Sequence, residues 1–146
     1  METPDADPPT QGPAAATVYF DGACPLCRRE IAHYQRVDRA AALCLVDVSA
    51  PDAPTPLGVD RGLALARFHV LAGDGRVVSG AAGFVELWSL LPGWRWAARF
   101  AGVPGVLSLL ELGYRLFLPL RPRLARWLQR DQGRTRTRSV GATHTR

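Results

Sequence analysis

The sequence predicts an α/β fold of three layers, in which the element order β-α-β-α-β-β-α is followed by a C-terminal helical extension. Its 146 residues correspond to one domain of ordinary size. Hydrophobic residues make up 47% of the chain and charged residues 21%, which supplies a core and excludes a disordered or disulfide-scaffold protein. Strand-like and helix-like segments alternate in its first half, as they do where helices join parallel strands.

The first half of the chain begins with a predicted strand, helix and strand. The β-branched and aromatic run Thr17–Phe20 predicts a strand that ends at the turn signal Asp21-Gly22. A helix is predicted over 25–38, with Pro25 at the first helical position. Proline suits this position because a backbone N–H there would have no partner within the helix. The nearly continuous apolar run 43–48 predicts a second strand, of the kind found in the centre of a parallel sheet. The apolar positions of the helix have helical spacing and are Cys27, Ile31, Tyr34 and Val37.

The next segments predict a helix, a hairpin and another helix. Three prolines mark 49–56 as a loop, after which Asp60 is a candidate N-cap for a short helix over 61–66. The sequence Gly-Asp-Gly between two apolar runs predicts a β-hairpin over 68–78. A helix is then predicted over 80–91. This order of elements is that of a thioredoxin-like fold.

Both ends of the chain differ from the domain between them, which is predicted to span 17–130. Residues 1–16 contain four prolines and three acidic residues but no apolar segment, which predicts a disordered leader rather than a signal peptide. Residues 131–146 contain a run of alternating Arg and Thr, which predicts a basic disordered tail. The C-terminal extension is predicted to form three helices, over 94–101, 105–118 and 121–130.

The distribution of charge and apolar residues narrows the possible partners. The net charge of +5 arises in 121–146, which hold eight arginines and one acidic residue, whereas 1–120 hold ten arginines and twelve acidic residues. A basic tail without a basic groove in the body argues against specific nucleic-acid binding. The apolar stretch 100–120 is interrupted by two prolines and two charged residues, so no transmembrane segment is predicted. We therefore expect a cytoplasmic protein, whose thiols stay reduced unless they are catalytic or bind metal.

The sequence Cys24-Pro25-Leu26-Cys27 lies where a predicted strand ends and a helix begins. At the start of a helix, free N–H groups and the helix dipole stabilise an anion. The pKa of Cys24 is therefore expected below the value of about 8.5 for a free cysteine. Cys27 follows one helical turn later on the same face, close enough for a disulfide to form and break. The spacing predicts Cys24 as an exposed nucleophile and Cys27 as a shielded resolving thiol.

Other interpretations of this motif remain open. Asp21 could order the turn before Cys24, accept a proton during thiol exchange, or raise the thiol pKa by like-charge repulsion. The cysteine pair could instead be half of a zinc site, although structural sites normally contain a second pair. It could also be a pair of inert, buried cysteines. The single residues left as further metal ligands are Asp21, His33, Cys44 and His69.

The other chemically notable residues are predicted to be structural. Cys44 lies in the middle of the second strand and is expected in the core. His33 falls off the apolar stripe of the first helix and is expected in solvent, whereas His69 is expected as a hydrogen-bonded strand residue. The tryptophans are expected to be packing residues; they are Trp88, Trp94, Trp96 and Trp127.

The segment from Tyr19 to Cys27 resembles the signature of the DCC family, thiol-disulfide oxidoreductase-like proteins named for an Asp-x-x-Cys-x-x-Cys motif. The resemblance covers about residues 17–125. It implies a thioredoxin-like fold and disulfide oxidoreductase activity at Asp21, Cys24 and Cys27. It also includes the Arg-rich first helix, Val46-Asp47-Val48, Phe68-His69-Val70 with Asp74-Gly75-Arg76, Gly80-Ala81, Leu91-Pro92-Gly93 and Tyr114-Arg115-Leu116-Phe117.

The chain departs from thioredoxin itself at one position. Thioredoxins place a cis-proline just before the third strand, where it faces the cysteine motif. This sequence has Arg67-Phe68 at that position, and Pro54 and Pro56 lie too far upstream. The element that docks the substrate is therefore expected to be absent or rebuilt.

The sequence thus predicts an enzyme that exchanges disulfides through Cys24 and Cys27, with Asp21 as an auxiliary residue. We expect no organic cofactor and no metal, because the two cysteines carry the electrons. The expected partners are a protein or small-molecule disulfide or thiol and a separate electron donor, since the chain has no Gly-rich nucleotide motif. The alternative is a non-catalytic module that docks a partner or a membrane surface through its C-terminal helices, as the aromatic and Leu-rich stretch 88–120 indicates.

Overall fold

The computed structural model describes residues 14–139, with side chains described as far as residue 130. Within these residues the fold is mixed α/β, with a four-stranded sheet and six helices. The strands are β1 (Ala16–Phe20), β2 (Leu43–Asp47), β3 (His69–Ala72) and β4 (Val77–Ser79). The helices are α1 (Pro25–Val37), α2 (Arg61–Ala66), α3 (Ala81–Leu90), α4 (Arg95–Ala101), α5 (Val106–Phe117) and α6 (Arg121–Ser139), with a 3₁₀ turn at Pro92–Trp94.

The strand order in the sheet is β2-β1-β3-β4. β1 pairs in parallel with β2, while β3 is antiparallel to both β1 and β4. This arrangement is compatible with a thioredoxin-like fold. The expectation that β2 is a central strand was wrong: it lies at the edge of the sheet, and Leu43 is its one buried residue. A short apolar run does not distinguish an edge strand from a central one, because its burial depends on which elements cover each face.

The core lies on both faces of the sheet. Val18 and Tyr19 are consecutive in β1 and therefore point to opposite faces. Val18 belongs to the larger cluster, which α1 and α3 complete with residues such as Ile31 and Leu87. Tyr19 belongs to the smaller cluster, in which Ala64 brings α2 against the sheet. The sheet is therefore the middle layer of three, and α1, which begins at the cysteine motif, is anchored by the larger core.

The ends of two helices test the sequence predictions: the start of α2 and the end of α6. Asp60 caps α2 as expected, since its carboxylate accepts a hydrogen bond from the backbone N–H of Leu63 at 3.0 Å. α6 continues to Ser139, so the expectation of a disordered tail was wrong for 131–139. Arginine favours helix, and a helix that tertiary contacts have already started extends easily through such residues. The expected leader 1–16, apart from residues 14–16, and the end of the tail, 140–146, lie outside the described residues.

The C-terminal helices are attached to the sheet through Glu111 of α5. Its carboxylate forms an ion pair with Arg67 at 2.5 Å and accepts the N–H of Ala81, at the start of α3, at 3.0 Å. It also pairs with Arg115 one turn later at 3.0 Å. Burial tends to raise the pKa of Glu111, but these hydrogen bonds outweigh it and lower the pKa to about 2. One carboxylate therefore connects α5 to both the loop before β3 and α3.

The apolar character of the C-terminal region does not produce a spanning helix in the described part of the chain. No single helix there has the length and composition needed to cross a membrane. The pair Pro92–Ala101 and Val106–Phe117 meets those criteria only when taken together, and its two helices are bent by 104°.

Candidate active site

The loop after β1 is held in place by Asp47, at the end of the neighbouring strand. One Asp47 carboxylate oxygen accepts the N–H of Gly22 at 2.8 Å and both the N–H and the hydroxyl of Ser49, at 2.9 and 2.6 Å. The Ser49 hydrogen bonds are the main cause of a lowered pKa at Asp47. A Cβ at Gly22 would overlap this carboxylate, so glycine is required here by close approach. The parallel pairing of β1 and β2 thus positions the chain that enters the cysteine motif.

Asp21 has two partners, one local and one distant. Its Oδ1 accepts the backbone N–H of Ala23 at 3.0 Å, which orders the turn. Its Oδ2 pairs with the guanidinium of Arg121 at 2.6 Å, across 100 positions of sequence. Asp21 therefore serves as a turn residue and also as the anchor of a cation beside the cysteine motif.

Cys24 is the N-cap of α1, as the sequence predicts. Its carbonyl oxygen accepts the first helical hydrogen bond, from the N–H of Arg28 at 3.0 Å, and its own N–H donates to the carbonyl of Asp21 at 3.2 Å. The expectation that Cys24 is exposed was wrong: it is 7% exposed, whereas Cys27 is half-buried. The exposure of Cys24 depends on α6, whose first residue, Arg121, lies against it.

The two thiols differ strongly in acidity. Burial tends to raise the pKa of Cys24, but hydrogen bonds from Arg121 and from the N–H and thiol of Cys27 outweigh it and lower that pKa. Burial raises the pKa of Cys27 to about 12, against the lowering effect of the Arg121 charge, and the neighbouring Cys24 adds to the increase. As the pH rises, the thiolate therefore forms on Cys24 before it forms on Cys27.

Arg121 is the site residue that the sequence analysis missed. Its side chain is mostly buried, donates to the carbonyl oxygen of Leu65 at 3.1 Å and pairs with Asp21. It thus joins α2, α6 and the cysteine loop around one guanidinium. Among eight arginines in the last 26 residues, no local signal distinguishes it, because its partners are distant in sequence. Its position as the first residue of α6 becomes visible only in the fold.

Two cavities adjoin the cysteines. An open groove of about 770 Å³ is lined by Cys24 and Arg121 together with Leu118, Pro122 and Arg126 from the C-terminal region. A small cavity of about 50 Å³ lies beside Cys27 and is mostly apolar. Cys24 therefore faces a space that a substrate can enter, although its own surface is largely covered. The small cavity is lined by Phe20, Asp21, Leu26, Cys27, Glu30, Ile31, Leu65, Arg67, Phe68, Phe84, Tyr114, Phe117, Leu118 and Arg121.

The position before β3 is rebuilt around aromatic residues. The N–H of Phe68 donates to the Tyr114 hydroxyl at 2.9 Å, and the Phe68 ring stacks on Phe84 with centroids 4.2 Å apart. Arg67 lines both cavities next to the cysteines. The segment Arg67-Phe68 thus lies at the position where thioredoxins have a proline. The Tyr114 hydroxyl of α5 accepts the backbone N–H of Phe68.

The other candidate ligands do not join the site. Cys44 was expected in the core but is exposed, because it lies on an edge strand. His69 is a hydrogen-bonded strand residue, as expected: its Nδ1 donates to the carbonyl oxygen of Arg67 at 2.8 Å, and the residue is buried. Burial lowers the pKa of His69, which favours the neutral ring. Among the residues that the structure describes, no group of three His, Cys, Asp or Glu side chains is placed to hold a metal ion.

Two expectations about aromatic contacts need correction. His33, expected in solvent, is half-buried and packs edge-on against Tyr34 and Trp94, with centroids 5.7 and 5.8 Å away. Trp88 and Trp94 stack with centroids 5.6 Å apart, as expected of packing residues. The other two tryptophans, Trp96 of α4 and Trp127 of α6, were also expected to pack but are exposed.

Comparison with known protein families shows to which family the chain belongs. The family model described as DCC1-like thiol-disulfide oxidoreductase matches residues 18–127. The match includes the cysteine pair, Asp21 and Arg121, and it extends through the C-terminal helices to Trp127. No curated protein and no solved structure matches the chain. With a matched family model over most of its length and a close cysteine pair at the start of α1, the chain belongs to the DCC1-like thiol-disulfide oxidoreductase family.

Proposed function

We propose that the protein is a thiol-disulfide oxidoreductase with a thioredoxin-like fold, in which Cys24 is the nucleophile and Cys27 the resolving thiol. The observation that carries the proposal is the position of Cys24, at the start of α1 and beside the Arg121 guanidinium. A helix N-terminus and a cation both favour the thiolate, which is the reactive form of cysteine. The groove that Cys24 lines gives a disulfide access to it.

The proposed reaction consists of two exchange steps. The Cys24 thiolate attacks a substrate disulfide, so that a Cys24–substrate disulfide forms, the substrate S–S bond breaks and one substrate sulfur leaves as a thiolate. Cys27 then attacks the Cys24 sulfur, forms the Cys24–Cys27 disulfide and releases the second substrate thiolate. The substrate gains two electrons and the protein loses them. A thiol donor restores the dithiol by the same exchange in reverse.

The second step requires deprotonation of Cys27, and the first step assists it. In the reduced protein, the negative charge and the hydrogen bonding of Cys24 help to raise the pKa of Cys27. Once Cys24 is part of a mixed disulfide, it carries no charge, while the lowering effect of Arg121 remains. The pKa of Cys27 therefore falls when its nucleophilicity is needed. Asp21 lines the same small cavity as Cys27, and we assign it the roles of proton acceptor and anchor of Arg121.

The family suggests a thiol or disulfide as the substrate. We extend this to a disulfide on a protein or small molecule, reduced at the expense of a separate thiol donor in the cytoplasm. Support comes from the lowered pKa of Cys24, which favours the thiolate that attacks a disulfide. A dithiol kept reduced by its compartment is ready to attack a disulfide.

The proposal is tested by trapping the mixed disulfide in a Cys44→Ser background, which removes the exposed thiol that would react unspecifically. Cys27→Ser and Cys24→Ser are each added, and the proteins are incubated near neutral pH with oxidised glutathione or a disulfide-linked peptide. Intact-mass spectrometry should show a stable adduct on the Cys27→Ser protein and almost none on the Cys24→Ser protein. An equal or larger adduct on the Cys24→Ser protein would contradict the assignment. If neither protein forms an adduct, the non-catalytic alternative is favoured.

A further inference from the structure

The C-terminal helices expose an unusual amount of apolar surface. Eleven of the thirteen large hydrophobic side chains that are exposed among the described residues lie between Trp96 and Trp127. Only Leu57 and Leu63 lie elsewhere. Such a concentration of exposed apolar side chains in neighbouring helices is typical of a binding surface, whereas single exposed leucines need no explanation. We therefore expect another molecule to bind the surface formed by α4, α5 and the start of α6.

The clearest part of this surface is a stripe on α5. Leu109, Leu112 and Leu116 follow one another at spacings of three and four residues, so they share one face of the helix. The opposite face carries Glu111 and Tyr114, which bind the loop before β3. α5 is thus attached to the body by one face and presents leucines on the other. The hydrogen bonds that attach the helix to the body do not involve the leucine stripe.

The same surface is strongly basic. Residues 92–130 contain seven arginines and a single acidic residue, Glu111, which is already paired with Arg67 and Arg115. Five exposed arginines have no acidic partner within the part of the chain whose side chains are described: Arg95, Arg99, Arg123, Arg126 and Arg130. The helices before and after the leucine stripe, α4 and α6, therefore carry exposed arginines, and they also carry the exposed indoles of Trp96 and Trp127.

Leucine, tryptophan and arginine together are typical of helices that lie in the interface of a membrane, with apolar side chains in the acyl boundary and cations at the lipid phosphates. A second copy of the chain fits this surface poorly, because two arginine-rich faces would meet with no carboxylate to pair them. The bend of 104° between the segments Pro92–Ala101 and Val106–Phe117 is incompatible with one straight spanning helix but suits two helices lying on a surface.

We propose that α4, α5 and the start of α6 dock the protein onto the surface of a bilayer that contains anionic phospholipid. The leucine stripe of α5 enters the boundary between headgroups and acyl chains. The arginines of α4 and α6 contact the lipid phosphates. Docking does not require Cys24 or Cys27, so it is independent of the redox chemistry.

The test measures co-sedimentation of the full chain with vesicles of phosphatidylcholine mixed with phosphatidylglycerol, and with vesicles of phosphatidylcholine alone. We expect binding to the anionic vesicles, weaker binding to the neutral ones, and a decrease with added salt. The double variant L109Q/L116Q should bind at least about tenfold more weakly, because it removes two side chains from the acyl boundary. Both positions are exposed, at 69% and 64%, so their replacement leaves the fold intact.

Two controls make the result specific. L57Q changes a leucine that is 93% exposed and lies in the loop before α2, outside this surface, and its binding should equal that of the wild type. The Cys24→Ser/Cys27→Ser variant should also bind normally. The proposal is overturned if the wild type does not bind the anionic vesicles, or if L109Q/L116Q binds as well as L57Q. It is also overturned if analytical ultracentrifugation shows a dimer that L109Q/L116Q abolishes while vesicle binding is absent.

Discussion

At the scale of single residues, the reactivity of Cys24 depends on Arg121. Cys24 is nearly covered, and burial alone would make its thiolate less stable. The guanidinium reverses this effect because it donates to the sulfur and carries a positive charge in a partly buried place. Asp21 holds the guanidinium in position through its Oδ2, at 2.6 Å. The acidity of the nucleophile is therefore set by a residue from the last helix.

We predict that Arg121→Gln raises the pKa of Cys24. The variant loses both the charge and the charge-assisted hydrogen bond that favour the thiolate. The rate of alkylation by iodoacetamide, measured against pH in the Cys44→Ser background, should therefore rise at higher pH in the variant than in the parent. Cys27 does not interfere at neutral pH, because its pKa is about 12.

The control for this experiment is Arg123→Gln, which removes an exposed arginine from the same helix. It should leave the alkylation profile unchanged. If Arg121→Gln also leaves the profile unchanged, the helix N-terminus alone accounts for the reactivity of Cys24, and our account of Arg121 is wrong.

At the scale of elements, α5 is held to the body by Glu111, which reaches Arg67 before β3 and the first N–H of α3. The stability of this attachment depends on the ionised carboxylate. Its pKa is lowered from 4.5 to about 2 in the folded protein, so the contribution is complete above about pH 4.5 and is lost as the pH falls toward 2.

We predict that Glu111→Gln lowers the free energy of unfolding by about 2 kcal/mol at neutral pH, after allowance for partial exposure. The difference from the wild type should shrink as the pH falls below 4.5, because the Glu111 carboxylate then takes up a proton in the unfolded chain, which stabilises the unfolded state, while it stays ionised in the folded protein down to about pH 2. Urea unfolding at a series of pH values measures this difference in the free energy of unfolding. Glu86→Gln, which removes a longer pair with Arg76 at 3.8 Å, should cost less than about 1 kcal/mol. A Glu111→Gln deficit that does not depend on pH would contradict the role of the charge.

The loop between β1 and α1 depends on a close backbone approach at Gly22. Gly22→Ala would place a methyl group against the Asp47 carboxylate, which is fixed by Ser49. We predict a loss of about 1–3 kcal/mol in the free energy of unfolding. Gly113→Ala in α5 has open space around it and should instead stabilise the protein by about 0.5–1 kcal/mol. Thermal or urea unfolding distinguishes the two, and equal stability of both variants would argue against the crowding at Gly22.

At the scale of the whole molecule, local patterns predicted the elements well. The strand that ends at Phe20, the helix that begins at Pro25 and the cap at Asp60 each follow from a few neighbouring residues. Their physical causes are local too: backbone propensity, the missing N–H of proline and the hydrogen bond of a capping carboxylate. The cysteine pair could therefore be placed at a helix start from the sequence alone.

The features that could not be predicted depend on contacts between distant parts of the chain. Cys44 is exposed on an edge strand, since no other described strand pairs with the outer edge of β2, and an apolar run of strand residues does not reveal its neighbours. Cys24 is covered because α6 returns to the start of α1, and the ion pair between Asp21 and Arg121 spans 100 positions. Sequence spacing identified the nucleophile, but it could not identify the cation that activates it.

The central claim is that Cys24 and Cys27 form a redox pair, and the most direct test is its reduction potential. The Cys44→Ser protein is equilibrated in glutathione buffers, alkylated and analysed by intact mass. We predict a reversible Cys24–Cys27 disulfide with a potential between about −120 and −270 mV, the range of disulfide oxidoreductases. Failure of the two cysteines to form a disulfide in any buffer, or a potential below about −300 mV, as in structural disulfides, would contradict the account.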